Sequence, residues 1–230
     1  IANGRRRLGG SCLAQVYRQL GNECPDVDNI DTLIAAFDNV QGLIASGSLL
    51  SYHDVSDGGL IVTLLEMAFG GNCGIDISIP CREDVIGNLF AEELGMLLEV
   101  EEDQATSVID SFGVANVPCF RVGISRADSL VTVVANGATV LHSDVRQLRD
   151  TWERTSFALE RLQANPACVE YEQSGLSVRS GPKFVVPWIP KQTPDSIISS
   201  VGKHKVAIIR EEGSNGDREM TAAFYMAGFE

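Results

Sequence analysis

The sequence is short of positive charge, and that shortage limits its partners. Among 230 residues, 18 lysines and arginines stand against 31 aspartates and glutamates, so the formal net charge is −13. No basic stripe is available to neutralise phosphates, which argues against nucleic acid as a partner. We expect the one short basic cluster, Arg5-Arg6-Arg7, to be a solvated turn.

The sequence also lacks the cysteine patterns that bind metals. None of the six cysteines lies in a CxxC pair, and no histidine stands at zinc spacing from them, so no zinc site is predicted. Several lie in apolar runs, where cysteine behaves as a small hydrophobic residue. We expect reduced thiols in a cytoplasmic protein. The six are Cys12, Cys24, Cys73, Cys81, Cys119 and Cys168.

Long apolar runs and targeting signals are missing as well. No apolar stretch reaches the length of a membrane span, so we expect no membrane partner. No signal peptide is recognised. The chain begins with Ile1 and stops at Gly228-Phe229-Glu230 within an unfinished pattern, so we expect a piece of a longer polypeptide.

The most informative stretch is His53-Asp54-Val55-Ser56-Asp57-Gly58-Gly59. The apolar run over 49–52 predicts a buried strand before it, and the pattern over 60–69 predicts a mostly buried helix after it. A helix N-terminus with glycines suits phosphate. Asp54 and Asp57 would repel an anion, unless Mg²⁺ binds carboxylate and phosphates together. These residues therefore predict a Mg-nucleotide corner.

The same turn also has a structural interpretation, and the local pattern leaves ligand binding and helix capping equally open. An Asx-type turn could cap the helix, with the glycines serving backbone geometry. His53 at a strand end is typical of a hydrogen-bonded structural residue. Glu66 could face the pocket, although a solvated or core-edge position is the more common one. Gly9-Gly10-Ser11 is either an anion cradle or a turn with Ser11 as helix N-cap, and we favour the N-cap.

The remaining patterns predict an α/β sandwich with a mixed or antiparallel sheet and flanking helices, not a doubly wound parallel sheet. Asn136-Gly137 between apolar runs is a strong hairpin signal. Apolar residues from Ile30 to Ile44 predict an amphipathic helix against a sheet, with Gly47 as its stop. Predicted helices cover 13–20, 30–44, 60–69, 82–92, 103–112 and 143–162, and predicted strands cover 74–79, 94–100, 119–124, 130–135 and 139–141.

The composition changes after Asn165-Pro166. Gly181-Pro182 and further prolines, at 187, 190 and 194, interrupt the stretch from 173 to 202 and predict a linker, ordered or not. A strand over 205–209, a polar turn and a helix over 218–227 then form one β-turn-α unit, the opening of a second, parallel α/β domain.

Three stretches, in this order and at this spacing, resemble the large, glutamine-dependent form of phosphoribosylformylglycinamidine synthase, a ligase of purine biosynthesis. They are Leu8-Gly9-Gly10-Ser11 with Ala14-Gln15, His53 to Leu60 with Glu66-Met67-Ala68-Phe69, and Arg210 to Met220. The stretches Phe90-Ala91-Glu92-Glu93-Leu94-Gly95 and Trp152-Glu153-Arg154-Thr155-Ser156-Phe157 strengthen the match.

The resemblance implies three parts. Residues 1–148 would be the second copy of an AIR-synthase-like C-terminal domain, 149–202 a helix and linker, and 203–230 the truncated start of a class I glutaminase domain. The glutaminase nucleophile and its partners would lie beyond Glu230, so no catalytic residue is assigned here. The partners would be upstream synthetase subdomains, the downstream glutaminase of the same polypeptide, and small-molecule substrates.

The resemblance also implies a site and a reaction. Asp54 would be a Mg²⁺ ligand and Ser56 a nucleotide contact, with Mg²⁺ and ATP or ADP as cofactors. The parent enzyme would convert formylglycinamide ribonucleotide, glutamine and ATP to the amidine, glutamate, ADP and phosphate. We expect the chain alone to be inactive, because the other metal ligands and the glutaminase triad are missing.

Two other functions remain open. The domain could be a non-catalytic scaffold that holds a structural nucleotide and docks the glutaminase. It could also be a stand-alone relative such as aminoimidazole ribonucleotide synthase. The unit from Lys203 to Glu230 argues against the stand-alone relative, because such enzymes carry no glutaminase.

Overall fold

The computed structural model describes residues 1, 4–80, 84–176, 183–189 and 191–230. The chain divides into two units, residues 1–178 and residues 179–230. Some predicted features lie outside the described residues. They are Cys81, the helix start at 82, Gly181-Pro182 and Pro190.

The first unit alternates helices and strands. Its helices are α1 (Cys12–Val16), α2 (Ile30–Ala45), α3 (Gly59–Gly71), α4 (Val85–Phe90), α5 (Ala105–Val114), α6 (Val145–Glu160) and α7 (Pro166–Gly175). Its strands are β1 (Ser51–Asp54), β2 (Gly74–Ile79), β3 (Met96–Glu99), β4 (Gly123–Arg126), β5 (Leu130–Ala135) and β6 (Ala138–Asp144). A short 3₁₀ helix over Glu102–Gln104 leads into α5.

Four of the strands form a mixed sheet with the order β4-β2-β5-β6. Strand β2 runs parallel to β5 and antiparallel to β4, while β5 and β6 are antiparallel. The other two, β1 and β3, form a separate antiparallel pair. The predicted α/β class with a mixed sheet is confirmed.

A tight turn at Asn136-Gly137 joins β5 to β6. Both residues have positive φ, 51° and 76°, as a type I′ turn requires. The predicted hairpin is therefore confirmed, and β6 is longer than predicted because pairing continues to Asp144, opposite Leu130. The Asp144 side chain then accepts a hydrogen bond from the Arg146 N–H and starts α6.

Two apolar clusters stabilise the first unit. In the larger one, the buried face of α3 packs against the mixed sheet, where Val131 and Val133 of β5 are completely buried. The predicted helix over 60–69 is thus confirmed as α3. In the smaller cluster, Val40 of α2 packs with Phe112 of α5, and Leu98 of β3 lies against them.

The opposite face of α2 is apolar but exposed, which differs from the predicted single buried face. Val40 and Ala36 are buried because α5 covers their side of the helix. The predicted core positions on the other side remain between 49 % and 57 % exposed, and they are Ile30, Ile34, Phe37 and Ile44. Helical periodicity identifies apolar residues but not how many sides of a helix are covered.

Several element boundaries differ from prediction. The buried strand predicted over 49–52 forms instead as β1, whose residues alternate between half-buried and exposed because one of its two faces is uncovered. Strand β4 starts at Gly123, where pairing with β2 begins, and not at 119. Asn165-Pro166 starts α7 as N-cap and first residue, since the Asn165 side chain accepts from the Ala167 N–H.

The second unit contains the short helix α8 (Asp195–Ile198) and α9 (Asp217–Met226). The helix predicted over 218–227 is confirmed as α9. The strand predicted over 205–209 is not formed among the described residues, because a strand needs a neighbour to pair with. In that segment the Val206 N–H donates to the carbonyl of Glu230, and the Glu230 N–H donates to the carbonyl of His204.

Two further expectations concern the described residues alone. In that part of the chain no helix has the length and apolar character needed to cross a membrane. Five of the six cysteines are described, and all five are free, as expected of reduced thiols.

A buried ion pair fixes the N-terminal segment to the fold. Arg7 and Glu93 are each 8 % exposed. The Arg7 guanidinium donates from Nε and Nη2 to the two Glu93 oxygens at 2.8 Å, and the Arg7 backbone N–H donates to Glu93 as well. Asp28 accepts from the same guanidinium at 2.9 Å. The predicted solvated turn at Arg5-Arg6-Arg7 is therefore wrong for Arg7.

The Glu93→Gln substitution is expected to lower the free energy of unfolding by about 3 kcal/mol, because it leaves a buried guanidinium short of a charged partner. Urea unfolding followed by circular dichroism measures the change. The control is Glu102→Gln, which breaks an exposed pair with Arg121 and should cost less than about 1 kcal/mol. Equal losses in both variants would contradict the structural role of Glu93.

The same pair predicts sensitivity to acid. Burial is the largest single influence on the pKa of Glu93 and would raise it, but the hydrogen bonds and charge of Arg7 together hold the pKa below its usual range. The stabilisation is therefore present above the unfolded pKa of about 4.3 and is lost as pH falls through the lower folded pKa. Below pH of about 4.3, we expect the unfolding free energy to fall less steeply with pH in Glu93→Gln than in the natural chain.

Candidate functional site

The turn between β1 and α3 requires glycine at two positions. Gly58 and Gly59 have φ of 86° and 73°, a conformation that other residues rarely adopt. A Cβ on Gly59 would lie 2.7 Å from the backbone carbon of Phe90, and one on Gly58 would lie 2.4 Å from Val62 Cγ2. The glycines therefore serve backbone geometry and close packing, as the structural interpretation of the turn holds.

The structural interpretation also held that an Asx-type turn caps α3, and this part is wrong. The residue at the N-cap position of α3 is Gly58, and no side chain of the described residues makes the usual capping bond, so neither Asp54 nor Asp57 caps this helix. The Gly58 N–H instead donates to Glu92 Oε1 at 2.8 Å. We expected this helix start to face phosphate, but an internal carboxylate takes the Gly58 N–H.

Glu92 also contacts a second helix. The Cys12 N–H, at the start of α1, donates to the same Glu92 Oε1 at 2.8 Å. Ser11 caps α1, because its side chain accepts from the Ala14 N–H and its hydroxyl donates to the carbonyl of Leu8. The N-cap interpretation of Gly9-Gly10-Ser11 is therefore confirmed. One carboxylate oxygen thus joins two helix N-termini.

Asp54 offers an open carboxylate at the end of β1. Its side chain is 66 % exposed, and His53 Nδ1 lies 3.6 Å from Asp54 Oδ1. Its backbone is held in place, since its carbonyl accepts from His53 Nδ1 at 2.7 Å and from the Thr63 hydroxyl at 3.4 Å. A fixed backbone with a solvated carboxylate fits Mg²⁺, which takes one or two carboxylates and completes its shell with water and phosphate.

His53 and Glu66 form a polar pair beside Asp54. His53 Nε2 lies 3.3 Å from Glu66 Oε2, with side chains 29 % and 25 % exposed. Because His53 Nδ1 also donates to the Asp54 carbonyl, His53 is a hydrogen-bonded strand-end residue, as its position predicts. Glu66 is half-buried at the edge of the core, as expected, and it also lines the cavity beside the imidazole.

The cavity has a volume of about 610 Å³. Residues of β1, the turn, α3, α6 and the end of α7 line it, and it is open to solvent. Ser56 belongs to its wall, together with His53 and Glu66, so the structure brings the predicted nucleotide contact next to this polar pair. Asp54 adjoins the cavity through His53. The other lining residues are Phe69, Gly70, Arg149, Trp152, Glu153 and Leu176.

Cys12, Asp57 and Glu92 form the one cluster of potential metal ligands found in the described part of the chain, with ligand atoms within 4.8 Å of one another. Burial, followed by the negative charges of Glu92 and Asp57, raises the pKa of the Cys12 thiol. A protonated thiol is a poor ligand, and Glu92 already accepts two backbone hydrogen bonds. We therefore assign this cluster a structural role.

The sequence arguments missed Arg7, Glu92 and Glu93. The resemblance includes Glu92-Glu93 but implies no role for either carboxylate. Their position gives a signal, because two consecutive carboxylates between Ala91 and Leu94 interrupt a largely apolar stretch. Buried carboxylates of this kind need partners, and a nearby arginine or helix N-terminus is the usual one.

A family model matches the first part of the chain, and two curated relatives match all of it. A family described as "AIR synthase related protein, C-terminal domain" matches residues 1–136. The Arabidopsis thaliana protein named "Probable phosphoribosylformylglycinamidine synthase, chloroplastic/mitochondrial" is 47 % identical over 231 residues, which cover 100 % of this chain and 16 % of the plant protein. The human phosphoribosylformylglycinamidine synthase is 47 % identical over 236 residues, covering 100 % of this chain and 18 % of its own.

The solved structure titled "T. maritima PurL complexed with ATP" covers 87 % of this chain and 29 % of its own, with a TM-score of 0.47 and 13 % identity. This chain therefore spans less than a fifth of the length of the two curated relatives, and its likeness to the solved structure is weak.

The Gly59→Ala substitution is expected to lower the free energy of unfolding by about 2 kcal/mol or more, because alanine is strained at this φ and its Cβ meets the backbone of Phe90. The matched control is Gly42→Ala in α2, where a Cβ meets nothing within 4 Å. That variant should gain up to about 1 kcal/mol from helix propensity. Thermal and urea unfolding measure both, and a neutral Gly59→Ala would refute the structural role of this glycine.

Proposed function

The chain belongs to the family of AIR synthase related C-terminal domains, which its residues 1–136 match. We propose that it is one part of a phosphoribosylformylglycinamidine synthase. The observation that carries this proposal is the 47 % identity to the plant and human enzymes of that name over the full 230 residues. Because such identity spans both units, the proposal covers the second unit as well as the first.

The proposed whole enzyme is a glutamine-dependent ligase of purine biosynthesis. It converts formylglycinamide ribonucleotide, glutamine and ATP to formylglycinamidine ribonucleotide, glutamate, ADP and phosphate. The remaining domains of the same polypeptide are the partners of this chain: synthetase subdomains before it and a glutaminase that begins near residue 203. A cytoplasmic location stays a prediction, since the plant relative is named for its chloroplast or mitochondrion.

The contribution of this chain is a Mg-nucleotide corner at Asp54 and Ser56. Bound Mg²⁺ supplies positive charge that offsets the charge of the nucleotide phosphates. Asp54 holds its carboxylate open toward solvent while His53 and Thr63 fix its backbone, which supports a ligand role. Ser56 lies in the adjoining cavity wall, where its hydroxyl can hydrogen-bond to the nucleotide.

Glu92 keeps phosphate away from the N-terminus of α3. Its carboxylate takes the Gly58 N–H at the start of α3, so a phosphate placed there would meet a negative charge. A metal held at Asp54 would supply positive charge for the phosphates, which agrees with the open carboxylate of that residue. One carboxylate provides too few ligands for tight metal binding, so we expect the isolated chain to be inactive and its affinity for Mg-nucleotide to be weak.

The test is Asp54→Asn in the full-length enzyme, with the same change at the exposed Asp38 of α2 as control. We expect Asp54→Asn to lower the affinity for Mg-nucleotide by about tenfold or more, because it removes a charged metal ligand. The control Asp38→Asn should leave the affinity unchanged. Equilibrium dialysis with labelled nucleotide measures the affinity. Unchanged binding in Asp54→Asn would reject the proposed site.

Turnover and melting temperature of the same variant separate two roles of the nucleotide. A fall in turnover at an unchanged melting temperature supports a nucleotide that reacts. If the melting temperature falls and the purified variant no longer carries bound nucleotide, the result supports the scaffold function, in which the nucleotide stabilises the fold by ligand linkage.

A further inference from the structure

Helix α2 is well formed but has an uncovered apolar side. The Asn29 side chain caps it by accepting from the N–H groups of Asp31 and Thr32, and the helix continues for 16 residues to Ala45. Side chains on the exposed side recur at alternating steps of four and three residues, and all but one of them are apolar. These residues, named the α2 stripe, are Ile30, Ile34, Phe37, Gln41 and Ile44.

The spacing of the α2 stripe is that of a helix–helix contact. Alternating steps of four and three residues keep a row of side chains on one side of a helix and form the seam along which two helices pack. The ends of the stripe, Ile30 and Ile44, lie about 21 Å apart along the axis. An exposed apolar row of this length marks a binding surface. The polar Gln41 within it is the kind of residue that fixes the register of a partner helix.

Charge argues against two other occupants of this surface. All charged residues of α2 are aspartates, and the whole chain has a net charge of −13. An anionic lipid surface would repel such a helix, because helices that lie on membranes carry lysine and arginine on their polar side. A second copy of the chain would set the same aspartates against each other. The occupant that fits is therefore a helix with an apolar seam and basic flanks.

The position of Ile1 indicates where that helix belongs in the polypeptide. Ile1 packs against the same apolar cluster as Ala36 and Val40 on the covered side of α2. Polypeptide that precedes Ile1 therefore joins this domain beside α2. This chain covers 16 % and 18 % of the two curated relatives, so most of each relative lies outside it. A helix tethered in this way docks at a high effective concentration.

We propose that the α2 stripe is the docking surface for an amphipathic helix with basic flanks from the polypeptide upstream of Ile1. The inference rests on the proposed function in one respect, that this chain is part of a longer ligase. The docked helix covers Ile34 and Phe37 and offers a polar side chain to Gln41. Helix α2 is then covered on two sides, by α5 and by the upstream helix, which accounts for its wide apolar surface.

The first test replaces Phe37, at the centre of the stripe, with the photo-crosslinking amino acid p-benzoylphenylalanine in the full-length enzyme. Irradiation, tryptic digestion and mass spectrometry then identify the segment that it contacts. We expect a crosslink to one segment upstream of Ile1 that has helical periodicity and lysine or arginine beside its apolar residues. The control carries the same amino acid in place of Glu172, which is exposed on α7, and should not crosslink to that segment.

Three outcomes of the crosslinking would overturn the inference. The first is a crosslinked dimer, which would make the occupant a second copy. The second is a crosslink that lies wholly in the polypeptide downstream of this domain. The third is the absence of any crosslink outside residues 1–178, which would leave the α2 stripe in solvent.

The second test is Phe37→Asp in the full-length enzyme, followed by hydrogen exchange and mass spectrometry. We expect the exchange rate of the same upstream segment to rise about tenfold or more, because a charge replaces a central apolar contact. Phe37 is 55 % exposed, so the domain itself should stay folded. The matched control, Leu162→Asp, changes an exposed apolar residue after α6 and should leave this exchange rate unchanged. An unchanged rate in Phe37→Asp would contradict docking.

Asp54→Asn separates this inference from the proposed function. If that variant binds Mg-nucleotide more weakly but position 37 forms no upstream crosslink, docking is overturned and the proposed function stands. If position 37 crosslinks upstream but Asp54→Asn leaves the nucleotide affinity unchanged, docking is supported and the Mg-nucleotide corner is rejected.

Discussion

The fold of the first unit depends on the contact between one carboxylate oxygen and two backbone N–H groups. Glu92 Oε1 accepts from Cys12 at the start of α1 and from Gly58 at the start of α3. The next residue, Glu93, pairs with the buried Arg7. The N-terminal segment, the turn after β1 and the helix that covers the mixed sheet therefore meet at two consecutive side chains. Unmatched positive ends of helices and a buried guanidinium are both satisfied there.

This arrangement limits what the turn can bind. A helix N-terminus preceded by glycines usually offers its N–H groups to an anion, but here the chain supplies the anion itself. Asp54 is left outside that contact, with its backbone fixed and its carboxylate in solvent. An open carboxylate of this kind suits the cation ligand that we propose, and the glycines contribute by letting α3 approach the backbone of Phe90.

The sequence was informative wherever a local rule decides the structure. Asn136-Gly137 predicted the hairpin because two adjacent positive φ angles favour those residues, and Ser11 predicted the start of α1 because a hydroxyl there has one obvious partner. Prediction failed where the answer depends on contacts far along the chain. The burial of Arg7 depends on Glu93, and the exposure of Phe37 depends on which face of α2 is covered by α5. Periodicity carries no information about either.

The strand order of the mixed sheet also has a consequence for synthesis on the ribosome. Strand β2 is made before its two neighbours, β4 and β5, and no paired strand is available to it until residue 123 and beyond has been translated. At roughly 5–20 residues per second, the apolar β2 and the sheet-facing side of α3 stay uncovered for several seconds. The nascent chain must hold an unpaired central strand during that interval, which makes this segment a natural client for chaperones that shield apolar surface.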